Sequence, residues 1–136
     1  MEIRIYDDRD FDGIDALWRE AFPSNSTENQ AEHVIPAKRA IQPDLLFVAV
    51  ERGDVLGSAM AGYDGHRGWL YFVAVRKSKR RRGLGAALVR HAEQALLSIG
   101  CSKVNLQVRA SNDAVVSFYR QLGYAVEDRA SLGRRL

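Results

Sequence analysis

The chain has one cysteine, three prolines and two tryptophans in 136 residues. A single thiol, Cys101, excludes an internal disulfide and favours a reducing compartment. The longest apolar runs, Leu45–Val50 and Trp69–Val75, fall far short of the roughly 20 residues that span a bilayer, so no membrane partner is expected. The amino-terminal segment carries no apolar signal core, which points to a cytoplasmic location. His33, His66 and His91 do not have metal-ligand spacing, and no metal is expected. There is no repeat, low-complexity tract or linker. With 46% hydrophobic and 27% charged residues, the composition is ordinary for a globular protein. The length fits a single domain, residues 1–136, able to bury about two-thirds of its unfolded surface.

Charge is unevenly placed. The chain carries 20 Lys+Arg against 17 Asp+Glu, net +3, and the run Arg76-Lys77-Ser78-Lys79-Arg80-Arg81-Arg82 supplies six of the cations. Without it the remainder is acidic, 14 cations against 17 carboxylates. A local cluster of this kind suits a compact polyanion better than a long nucleic-acid backbone, which needs a wide basic face. The aromatics are not interleaved with the basic run, which also counts against nucleic acid.

Periodicity places the elements around this run. Glu2–Tyr6 alternates as a strand. Asp10 can cap a helix running through Ala21, with Ile14, Leu17, Trp18 and Ala21 on one face. Phe22–Gln30 reads as loop, and a short helix is expected to start near Pro36, a residue suited to a first helical position. Leu45–Glu51 and Val55–Tyr63 read as strands joined at Arg52-Gly53-Asp54. Asp64-Gly65 marks a second hairpin leading into Trp69–Val75. Leu84, Leu88, Ala92, Ala95 and Ile99 form a helical stripe that ends at Gly100. A strand Val104–Arg109, a helix Asn112–Leu122 closed by Gly123, and the segment Tyr124–Ala130 follow. The expected fold is α/β, a mixed and mainly antiparallel sheet flanked by helices. Residues 69–109 are its one candidate parallel crossover.

The basic run leads into glycines and a helix start. Helix amino termini present unpaired N–H groups and the positive end of the dipole, so they hold anions. Gly83 and Gly85 remove side chains that would keep a ligand from that backbone. This is not a Walker A loop, because no Gly-Lys-Ser/Thr follows a glycine at the required distance. It is also a poor dinucleotide fingerprint, because Leu88 stands where the third small residue belongs. Arg80-x-x-Gly83-x-Gly85 does match R/Q-x-x-G-x-G/A. Downstream, Asn112-x-x-Ala-x-x-Phe118-Tyr119-x-x-x-Gly123-Tyr124 matches N-x-x-A-x-x-F-Y-x-x-x-G-F/Y.

Two separated blocks in this order resemble the GCN5-related N-acetyltransferase (GNAT) family, along essentially the whole chain. The segments 62–68 and 131–136 also resemble its small bacterial YpeA-like branch. The resemblance implies acetyl-CoA as cosubstrate and an amine as acceptor, in a monomer or homodimer. It implies that the backbone of Val73, Ala74 and Val75 hydrogen-bonds the pantetheine arm. Amides of Arg81, Arg82, Gly83, Leu84, Gly85 and Ala86 would ring the pyrophosphate, with Arg80 positioning the loop. Asn112 would bond a pantetheine amide, and Tyr119 would give a proton to the departing thiolate. Asn112 and Tyr119 are two helical turns apart, on one face. Gln107 stands where some relatives place a glutamate base, and Trp69–Val75 contains no carboxylate. Tyr71, Glu127 and Asp128 are weak candidates, and a water chain serving an amine of low pKa is preferred. The alternative reading is a non-catalytic acetyl-CoA sensor on the same fold, which turnover with a panel of amines separates from an enzyme. The acceptor loops carry no transferable signature.

Overall fold

A computed structural model describes residues 1–136. The chain divides into two compact units, Met1–Leu106 and Gln107–Leu136.

The first unit holds a five-stranded sheet in the order β1-β2-β3-β4-β5, with β1 Glu2–Ile5, β2 Leu46–Glu51, β3 Asp54–Tyr63, β4 Gly68–Val75 and β5 Val104–Leu106. The first four strands pair antiparallel and β5 pairs parallel to β4, as the 69–109 crossover required. β2 and β3 are joined by Arg52 and Gly53, both at positive φ (52° and 81°), the signature of a type I′ turn. In the β3–β4 loop, Asp64 Oδ1 accepts from the amides of His66 and Arg67, each at 2.7 Å.

Three helices belong to this unit: α1 Phe11–Ala21, α2 Ala31–Ile41 and α3 Leu84–Ser98. Neighbouring residues of β3 show which faces they cover. Gly57 lies against Leu84 and Leu88 of α3, whereas the Ser58 hydroxyl meets Trp18 of α1. Successive strand residues point to opposite faces, so α1 and α3 flank the sheet on opposite sides. On the α1 side Ile14, Leu17 and Trp18 pack with Ala31, Ile35, Leu46 and Val48.

Several local expectations are corrected. Asp10 does not cap α1. Its carboxylate takes two hydrogen bonds from Arg4 (2.8 and 2.9 Å) and one from the Asp7 amide (2.9 Å), and it is buried. The Arg4 pair and that amide outweigh burial and hold Asp10 below the usual carboxylate range. Pro36 lies inside α2 rather than at its start. The apolar positions Ala31, Val34 and Ile35 begin the helix five residues earlier, and their burial outweighs the one hydrogen bond a proline forfeits. Phe22–Gln30 contains a 3₁₀ turn at Thr27–Asn29. On α3 the buried stripe is Leu84, Leu88, Val89, Ala92 and Leu96, while Ile99 falls past the helix end and is exposed.

The second unit contains α4, Asp113–Gln121. Asn112 is its N-cap, and Gly123 at φ 98° closes it. The expected strand Val104–Arg109 is paired only at Val104–Leu106, and Tyr124–Ala130 forms no regular element.

Candidate functional site

β4 is irregular where the sequence reads as uniform strand. Ser58 pairs with Ala74 and Met60 pairs with Tyr71, so one β3 residue, Ala59, faces two β4 residues, Phe72 and Val73. This is a β-bulge, and Phe72 sits in it at φ 50°. β5 pairs with β4 only from Gly68↔Val104 to Leu70↔Leu106. Beyond Leu70 the two parallel strands part, and the β4 edge through Val73, Ala74 and Val75 is not bonded to β5. Ala74 is buried and pairs with Ser58 of β3, whereas Val73 and Val75 are half-buried, and none of the three pairs with β5.

The basic loop leaves the end of that edge. Arg76 Nε donates to Val55 O at 3.1 Å and its Nη2 to Gly13 O at 3.3 Å, tying the loop's base to β3 and α1. The Lys77 amide donates to Glu20 at 3.0 Å. Arg80 Nε donates to Val75 O at 3.3 Å, so Arg80 anchors the loop to β4. Arg81 and Arg82 are exposed. Arg81 (φ 65°) and Gly83 (φ 75°) both adopt the left-handed conformation, which turns successive amides toward a common side. Leu84 begins α3 with Gly83 at the N-cap. No side chain caps that end and no acidic residue lies in the first turn. The amides of Leu84, Gly85 and Ala86 are therefore available to an anion.

In the second unit, Asn112 Oδ1 accepts from the Val115 amide at 3.3 Å, so Asn112 caps α4. Tyr119 is buried, and its ring packs edge-on against Phe118 (centroids 4.9 Å) and Tyr124 (5.6 Å). Burial pushes its hydroxyl up to about 12. It stays protonated at neutral pH and is always a donor. Gln107, which stands where some relatives place a glutamate base, donates to the Ser131 hydroxyl. Tyr71, half-exposed on β4, has a phenol raised by burial and by Asp64, which makes phenolate chemistry at neutral pH worse.

Sequence reasoning missed Ser58 and Phe72. Ser58 is fully buried, donates to Phe72 O at 2.7 Å and accepts from Trp18 Nε1 at 2.9 Å. Phe72 stacks on Trp18 with centroids 4.2 Å apart. No glycine marks the bulge, so nothing in the sequence pointed to it.

The acetyltransferase (GNAT) family profile matches residues 11–124. A curated acetyltransferase of Pectobacterium atrosepticum is 42% identical over 136 residues, covering 100% of this chain and 96% of the relative. One from Sodalis glossinidius is 43% identical over 137 residues, with the same coverage. Among solved structures, the PaiA N-acetyltransferase of Thermoplasma acidophilum, crystallised with coenzyme A, superposes with a TM-score of 0.80. It is 18% identical over 95% of this chain and 92% of its own, a likeness of fold. The chain belongs to the GNAT family. It is an acetyltransferase that uses acetyl-CoA as cosubstrate. The residues present fit that cosubstrate. A free strand edge runs into a loop rich in cations, and the loop runs into a helix end without cap or carboxylate.

Proposed function

We propose that the 136 residues act as one domain that transfers the acetyl group to a primary amine by direct attack in a ternary complex. The observation that carries the cosubstrate's placement is the uncapped, carboxylate-free start of α3 directly after the open β4 edge. On this reading the backbone of Val73, Ala74 and Val75 hydrogen-bonds the pantetheine amides as a further strand would. The amides from Arg81 to Ala86 hold the pyrophosphate, Arg80 fixes the loop, and Arg81 and Arg82 balance charge. Asn112 and Tyr119 are assigned on the motif they complete.

Acetyl-CoA supplies an activated acyl group. The amine nitrogen forms the new C–N bond, the C–S bond breaks, and Tyr119 donates a proton as charge develops on sulfur. The amine's own proton leaves through water. With Gln107 in place of a carboxylate and none on β4, an acceptor of low pKa suits the site. An α-amino group near 7.7–8.0 needs far less assistance than a lysine near 10.4. The test is acetyl-CoA turnover against peptide amino termini, lysine peptides, polyamines and aminoglycosides. Turnover fastest with α-amines supports the reading. Coenzyme A binding without turnover on any amine would replace it with a sensor.

A further inference from the structure

We propose that Ser58, together with Trp18, is a positioning residue for acetyl transfer. Their hydrogen-bonded relay holds β4 in the bulged form that keeps the Val73–Val75 edge open. The inference rests on the assignment of that edge to the pantetheine arm.

A phenylalanine at φ 50° is strained, because its Cβ crowds the backbone in the left-handed region. Such a conformation persists only where its surroundings over-determine it. Here they do so twice. The ring of Phe72 is held by the near-parallel stack on Trp18 (4.2 Å, 20°) and by the edge of Phe22 (5.8 Å, 80°). Its carbonyl is held by Ser58 Oγ at 2.7 Å. A bulge leaves its extra residue outside the ladder, and the serine supplies a donor that the ladder does not.

The hydroxyl is itself oriented. Trp18 Nε1 donates to it at 2.9 Å, which leaves its own proton directed at Phe72 O. Ser58 is completely buried on a face otherwise lined by Ile14, Leu17, Leu46 and Val48. A polar pair is costly there unless both partners are satisfied, and both are. The parting of β4 from β5 begins after Leu70, two residues before Phe72. The relay therefore acts where the strand leaves its parallel partner, and it acts through Phe72 rather than by touching substrate.

The test uses the full chain, with coenzyme A as probe. For Ser58→Ala, measured well below its melting midpoint, coenzyme A affinity should fall about tenfold. The KM for acetyl-CoA should rise in step while the KM for the acceptor stays within about twofold. A folded Ser58→Ala protein with parental coenzyme A affinity and only a lower Tm overturns the proposal. If Ser58→Ala does not fold, Trp18→Phe decides, because it keeps an aromatic ring against Phe72 and removes the indole donor. A loss of about threefold in affinity supports the relay, and unchanged affinity overturns it. A parent chain that binds no coenzyme A overturns the cosubstrate assignment itself, a result distinct from either variant's failure.

Discussion

Tyr119 is the residue on which an enzymatic reading leans most. Its hydroxyl, pushed up to about 12 by burial, is a weaker acid than a thiol near 8.5. On these values full transfer to a thiolate is uphill, so the hydroxyl contributes as negative charge develops on sulfur, in the transition state rather than in binding. Tyr119→Phe keeps the edge contacts with Phe118 and Tyr124 and removes only the proton. The expected result is a kcat lower by about 10²–10⁴-fold with coenzyme A affinity nearly unchanged. Steady-state kinetics with a confirmed acceptor, plus a pre-steady-state check that chemistry limits turnover, measures it. A kcat within twofold of the parent removes the residue from this role. The same hydroxyl shapes alkaline stability. Its folded value lies above the ordinary 10, so its contribution is fully present below pH 10 and is lost as pH rises toward about 12. The loss amounts to about 2–3 kcal/mol. Urea unfolding at pH 9 and pH 11.5 should show a smaller alkaline decline in Tyr119→Phe than in the parent. Tyr6 and Tyr71 are raised as well, and their share remains in both proteins.

Gly57 within β3 and Gly83 at the start of α3 serve two different physical needs. A Cβ on Gly57 would stand 2.9 Å from Ala74 O and 2.8 Å from Leu88 Cδ1. The carbonyl is backbone of the neighbouring strand and cannot swing aside. Gly57→Ala should cost about 1–3 kcal/mol by overpacking and weaken coenzyme A binding, because the displaced residue is Ala74. Gly83 has open space around it but sits at φ 75°, so Gly83→Ala should cost only the conformational strain, about 1–2 kcal/mol. Urea titration checks both, and a loss near zero at either position contradicts the cause assigned to it. Strand–loop–helix order, the hairpins and the parallel crossover were legible because periodicity and turn residues are local signals. The α3 stripe was legible up to Ala92, and the final turn was misread because Ile99 is the C-cap, where the helix ends and the side chain is exposed. Pro36 was misread because a rule about single residues was set above the apolar spacing around it. Asp10 was misread because its partner, Arg4, is supplied by β1 and not by the helix it precedes. The bulge at Phe72 was illegible. It is produced by Trp18 and Ser58, which lie far from it in sequence and meet it only after folding.

At the scale of the whole molecule, charge separates the binding loop from the rest of the chain. Residues 76–82 carry six cations, and the remainder is acidic. Two of the six are already engaged, Arg76 with Val55 and Gly13 and Arg80 with Val75. Their partners are neutral carbonyls, so no carboxylate cancels their charge there. Arg81 and Arg82 are exposed beside the start of α3. The phosphates of coenzyme A should thus be attracted by several charges within about a Debye length, roughly 10 Å at 0.1 M salt. Binding stabilises the folded state by about 2.7 kcal/mol at a hundredfold excess over Kd. Coenzyme A and acetyl-CoA should both raise Tm, and NAD and ATP should do so much less. The Tm shift should shrink as salt rises from 0.05 to 0.5 M. Replacing Arg81 and Arg82 together by Gln leaves both tethers and all the amides in place. That variant should bind coenzyme A more weakly and show a shallower dependence of affinity on salt, with unliganded Tm close to the parent's. If its salt dependence is unchanged, the loop holds the ligand through its amides alone, and the cations serve something other than coenzyme A.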